Sequence, residues 1–150
     1  MTTDLLFYHL ETRPLDSVLP VLLDKTLERG WRAVVEVGSA ERLEALDAAL
    51  WTYTDDSFLP HGIASGGEDD AIQPVLLTNG GDNPNAANVR FYVDRATPLA
   101  GQDYERLVYI FNGHDPDAVA EARTIWREMK ETYALTYWQQ DADGRWSKKA

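Results

Sequence analysis

The chain is expected to form an α/β domain on a mostly parallel sheet. Three observations predict it. The first fifty residues alternate strand-like apolar runs with helix-period segments, the pattern of βαβ units. Three further apolar runs of strand length follow, separated by loops rich in Gly, Asn and Asp. The chain has 150 residues, of which 44% are hydrophobic, which suits one domain, residues 1–150, with a proper core.

The elements follow in order. Leu5-Leu6-Phe7-Tyr8-His9-Leu10 reads as a buried strand. Residues 16–29 read as a helix, capped by Asp16 or Ser17, with Pro20 in the first turn. Val18, Leu22, Leu23 and Leu27 are its apolar stripe, and Gly30 ends it. Residues 32–37 form the second strand. Ser39 caps a second helix that runs to Trp51, with Leu43, Leu46 and Leu50 inward. Pro74–Thr78, Val89–Val93 and Leu107–Phe111 are the next strands. Asp115-Pro116, a capping residue followed by proline, opens the last helix, which is expected to end near Thr132. Leu135–Gln140, the turn Asp141-Ala142-Asp143-Gly144 and Arg145-Trp146 make a closing hairpin.

Charge narrows the function. The formal net charge is −11 and the pI about 4.6, so an acidic surface disfavours direct nucleic-acid binding and anionic membranes. There are no cysteines, which removes thiolate chemistry and Cys-ligated zinc. Nothing approaches a transmembrane run, and Met1-Thr2-Thr3-Asp4 lacks the basic start of a secretory signal, so the cytoplasm is the expected location.

Motifs for catalysis are missing as well. The Gly-rich loops at 65–70 and 79–85 carry carboxylates where a phosphate loop needs Lys, and the turn after the first strand has no Gly. His9, His61 and His114 are scattered without metal-ligand spacing, and His9 reads as a hydrogen-bonded interior residue. Asp141-Ala142-Asp143-Gly144 lacks later calcium ligands and reads as a turn. No metal and no cofactor are expected.

The last helix is the local exception to the acidity. With about 100° per residue, Ala118, Ala122, Ile125 and Met129 fall within about −120° to −60° of Val119, a buried stripe. Glu121, Glu128 and Glu131 fall at about 120° to 200° and face water. Val119, Trp126, Lys130, Arg123 and Arg127 share the arc between, about −20° to 80°. This strip is either a solvated cationic face or a groove for an acidic peptide with an apolar end. Around Trp51 and Phe58, two aromatics flank a polar loop. They are either core or an exposed anchor for a partner.

Several segments together resemble the DNA polymerase III chi subunit family. They are Phe7-Tyr8-His9-Leu10, Leu50-Trp51, Ser57-Phe58-Leu59-Pro60-His61-Gly62, Leu107-Val108-Tyr109-Ile110-Phe111-Asn112-Gly113, Thr136-Tyr137-Trp138-Gln139-Gln140 and Gly144-Arg145-Trp146. The ordered set, rather than any one motif, carries the likeness along the whole chain. It implies a three-layer, Rossmann-like sheet without a phosphate loop, and an accessory subunit of the clamp-loader part of the replicase with no active site of its own. It also implies that the acidic, Phe-ended C-terminal tail of single-stranded-DNA-binding protein docks on the last helix, at positions matching Arg123, Trp126 and Arg127, with Lys130 one turn on. The psi subunit, or in some members a helicase-like partner, would meet the surface matching Trp51, Phe58 and Pro60. Association with DNA would be indirect, with no membrane and no small-molecule substrate. The competing reading is a small α/β enzyme or nucleotide-binding protein using Gly66-Gly67 or Gly80-Gly81.

Overall fold

The computed structural model describes residues 3–52, 60–80, 82–98 and 104–150. Its elements run β1 (Asp4–Leu10), α1 (Leu15–Glu28), β2 (Ala33–Val37), α2 (Ala40–Thr52), β3 (Gly62–Ile63), a 3-10 turn (Glu68–Ile72), β4 (Val75–Thr78), β5 (Val89–Val93), β6 (Arg106–Asn112), α3 (Pro116–Met129), β7 (Ala134–Gln140) and β8 (Trp146–Lys148). One eight-stranded sheet has the order β3-β4-β2-β5-β6-β1-β7-β8. Every pairing is parallel except β7 with β8. The expected α/β architecture with a mostly parallel sheet is therefore the one observed.

Strand alternation splits the core into two layers. Val35, Val37, Phe91, Val108 and Ile110 face one side, where Leu19, Leu23, Leu46 and Leu50 of α1 and α2 cover them. Phe7, Val34, Tyr92, Tyr109 and Phe111 face the other, under Ala118, Ala122, Ile125 and Met129 of α3. The four α3 residues are those on the expected buried stripe. Among the described residues no helix is long and apolar enough to cross a membrane.

Several boundaries differ from expectation. Helix α1 begins at Leu15 with Pro14 as N-cap and no side-chain cap, so neither Asp16 nor Ser17 serves. Pro20 consequently lies inside the helix rather than in its first turn. It is buried against the core, so packing at this position offsets the loss of one backbone hydrogen bond. The stripe also shifts: Val18, Leu19, Leu23 and Thr26 are buried, while Leu22 and Leu27 are only partly covered. Gly30 does end α1, at φ +79°. The Gly30 N–H bonds the Leu27 carbonyl at 2.9 Å and the Trp31 N–H bonds Thr26 at 3.3 Å, the paired closure that favours glycine at this position. Ser39 caps α2 as expected, its Oγ accepting from the Arg42 N–H at 3.2 Å.

Helix α3 starts as the sequence predicts. Asp115 accepts from the Asp117 and Ala118 N–H groups, and Pro116 occupies the first helical position. It ends at Met129, not near Thr132; Lys130 is the C-cap with helical φ −63° and ψ −22°. That geometry keeps Lys130 in the angular position derived for it.

Candidate functional site

The α3 strip lies along the seam between α3 and β7. Val119 and Trp126 of the helix and Leu135 and Tyr137 of the strand are all partly buried against the same core layer. The indole of Trp126 meets Phe7 edge-on at 5.2 Å and Tyr137 at 5.9 Å. Phe7 in turn stacks on Tyr137 at 6.2 Å. Edge and offset ring pairs of this kind contribute about 0.5–1.5 kcal/mol each beyond burial. Trp126 is thus held in one orientation with part of its surface open.

Below it, the Tyr137 hydroxyl and His9 Nδ1 share a 2.5 Å hydrogen bond, and His9 Nε2 lies 2.8 Å from Glu11. His9 is the buried, hydrogen-bonded histidine expected from its strand position. Burial pushes its pKa below the ordinary value, opposed by Glu11 and reinforced by His114 and Arg123. Burial likewise raises the Tyr137 hydroxyl, with Arg123 opposing. Arg123 therefore acts electrostatically on the floor of the seam. Gly113 is required here: a Cβ at this position would meet His9 Nε2 at 2.1 Å.

Arg123, Arg127 and Lys130 are exposed. Arg127 reaches the Thr124 hydroxyl at 3.4 Å. None of the three has a carboxylate within ion-pair distance among the described residues. Three cations outside the strip are paired: Arg42 with Asp94, Arg90 with Glu36, and Arg95 with Asp115 and Glu121. Glu121, expected simply to face water, is half of the last pair. All five residues of the strip, Val119, Arg123, Trp126, Arg127 and Lys130, are brought to one surface, and it can accept an acidic chain with an apolar side chain against Trp126.

The second patch is only partly described. Trp51 is 50% exposed at the end of α2, so it is not a core residue. Its ring lies 4.4 Å from that of His61, whose Nε2 is 3.1 Å from Asp47. Pro60 is half-buried beside them. Phe58 lies outside the described residues.

The loops that could hold a nucleotide are filled from within the chain. After β1, the N–H groups of Glu11, Thr12 and Arg13 all donate to Gln140 Oε1, at 3.0 to 3.1 Å. At the first Gly-rich loop, Asp70 accepts from the N–H groups of Ser65 and Gly66 at 2.9 to 3.2 Å. Those bonds hold the Asp70 carboxyl below the ordinary aspartate value. At the second, Gly80 and Asp82 give their carbonyls to the buried Arg90 guanidinium at 2.6 and 3.1 Å; Gly81 lies outside the described residues. The 141–144 turn is closed by Asp141 Oδ1, which accepts from the Asp143 and Arg145 N–H groups, each at 2.9 Å.

Sequence reasoning did not find Arg90, Gln140 or the Tyr137–His9 pair. Only the alternation of β7, which puts Tyr137 on the same side as Leu135, hinted at the last.

Comparison with known proteins adds an independent line. A family model described as DNA polymerase III chi subunit, HolC, matches residues 1–136. The chain is also similar to a Rickettsia prowazekii (strain Madrid E) protein named probable DNA polymerase III subunit chi, at 29% identity over 82 residues, covering 55% of this chain and 49% of that one. The chain thus spans about half the length of this curated relative.

Proposed function

The chain belongs to the DNA polymerase III chi subunit family, and on that premise we propose that it is an accessory adaptor of the replicase. It works in the clamp-loader complex in the cytoplasm, without a catalytic centre of its own. The α3 strip takes the acidic, Phe-ended C-terminal tail of single-stranded-DNA-binding protein, and the Trp51 surface takes psi or an equivalent partner. Contact with DNA through the tail is indirect.

The observation that carries the reading is the clustering on one helix of three exposed cations, Arg123, Arg127 and Lys130, beside the part-open, ring-packed Trp126, in a chain with net charge −11. No carboxylate among the described residues lies within ion-pair distance of the three, so they are open to an acidic partner. A tail carboxylate pairs with the guanidinium groups by forked hydrogen bonds, and the terminal aromatic packs on Trp126. The enzyme or nucleotide reading lacks such support, since the two Gly-rich loops it would use already hold Asp70 and Arg90.

Titration with a synthetic acidic peptide ending in Phe tests the assignment. Binding should weaken as salt is raised and fall at least tenfold with Trp126→Ala, the retained fold being checked by circular dichroism. Equal binding by a folded Trp126→Ala variant contradicts the site. For the second surface, Trp51→Ala should weaken psi capture and leave peptide binding unchanged; loss of both together would contradict two separate surfaces.

A further inference from the structure

On the sheet face opposite α3, a cleft of about 320 Å³ lies between the outer flank of α1 and strands β5, β6, β1, β7 and β8. It exists because α1 and α2 cover the core side of that face, and no further helix among the described residues crosses β1, β7 and β8 there. Tyr8, Trp138 and Trp146 line it from three adjacent strands, all partly exposed. Tyr8 and Trp146 meet edge-to-face at 4.9 Å. The Trp138 indole N–H has no acceptor among the described residues.

Four cations surround these rings: Arg13, Lys25, Arg29 and Arg106. Among the described residues no Asp or Glu lines the cleft, although the chain has 25 of them. None of the four has a carboxylate within ion-pair distance among the described residues. Arg29 and Arg106 instead sit over the Trp31 ring, at 5.0 and 5.6 Å from its centroid. Lys25 and Arg29 are one helical turn apart, about 6 Å along the axis, comparable with neighbouring phosphates on an extended strand.

We propose that this cleft binds single-stranded nucleic acid, with bases against Tyr8, Trp138 and Trp146 and phosphates on Arg13, Lys25, Arg29 and Arg106. The repetition decides between ligands. Each nucleotide carries one ring and one phosphate, and the cleft offers several rings among several cations. The α3 strip has a single indole and suits a peptide with one aromatic end. Ring stacking and cation contact of this kind tolerate any base sequence. The body charge of −11 restricts the contact to low salt or to strands already held nearby.

The test is fluorescence anisotropy of a labelled oligothymidylate with the full chain at about 20 mM salt. Four phosphate contacts give a slope of log affinity against log salt near about −3. The double variant Lys25→Glu/Arg29→Glu, both exposed positions, should bind at least tenfold more weakly with a shallower slope. Arg127→Glu on α3 should bind the oligonucleotide as the parent does. The proposal is overturned if the parent does not bind, or if the α1 variant binds equally. It also fails if the α1 variant loses an acidic peptide rather than the oligonucleotide. Because Arg127→Glu is read against the peptide separately, failure here leaves the tail site standing.

Discussion

Arg90 is 1% exposed, and its five N–H donors all find acceptors: Glu36 twice, Tyr104, and the carbonyls of Gly80 and Asp82. Arg123 and Arg127 stand exposed on α3 with one 3.4 Å contact, to Thr124, between them. The same side chain thus locks a loop in one region and is left open in the other. A buried guanidinium must be fully bonded because desolvation of an unpaired charge is costly. An exposed one carries no such requirement, and the proposed tail site rests on three such cations clustered beside Trp126 on one helix.

The largest effect expected from this contrast is at Arg90. Arg90→Ala strands Glu36 and the Gly80 and Asp82 carbonyls and should cost about 3–5 kcal/mol in denaturant unfolding. Arg127→Ala should stay within about 0.5 kcal/mol of the parent. A similar loss for both would erase the distinction between locked and open cations.

An intermediate effect is expected at the start of α3. Asp115→Ala removes the cap bonds to Asp117 and Ala118 and should cost about 0.5–2 kcal/mol. Tail binding should follow only as far as the helix frays, which paired unfolding and titration curves measure.

A smaller effect separates the seam's floor from its rim. His9 is held below the ordinary histidine pKa by burial, so the folded state favours the neutral ring. As pH falls below about 6.5, the unfolded chain protonates first, and stability declines until the folded-state value is passed. Glu11, His114, Arg123 and Tyr137 surround the ring and set the depth of that decline. Unfolding midpoints between pH 7.5 and 5 should be flatter for His9→Gln than for the parent. An unchanged slope would remove His9 from the pH response.

Legibility in the sequence followed the range of the interactions. The strands, the Asp115-Pro116 start and the buried stripe of α3 rest on local periodicity and capping, and they were readable. The first turn of α1 was misplaced because packing holds Pro20 where propensity alone disfavours it. Two-residue β3 and the 3-10 turn are too short for any period to register. Arg90–Glu36 spans 54 residues, and Gln140 meets the turn after β1 across 127 to 129. Such pairs depend on strand order and register, which no local pattern encodes. The α3 strip was found from angles because all its members lie within one helix and its cap. The α1 cleft is hidden in the sequence because its rings come from β1, β7 and β8 and its cations from the turn after β1, the end of α1 and the start of β6. Net charge concealed both.

The most direct test of the unpaired strip reads stability and binding on the same samples of Arg123→Glu/Arg127→Glu. Loss of each charge-assisted pair should cost roughly 1.5–3 kcal/mol of affinity for the acidic Phe-ended peptide, with unfolding unchanged within about 0.5 kcal/mol. A variant that unfolds as the parent does and binds the peptide equally well would contradict the account.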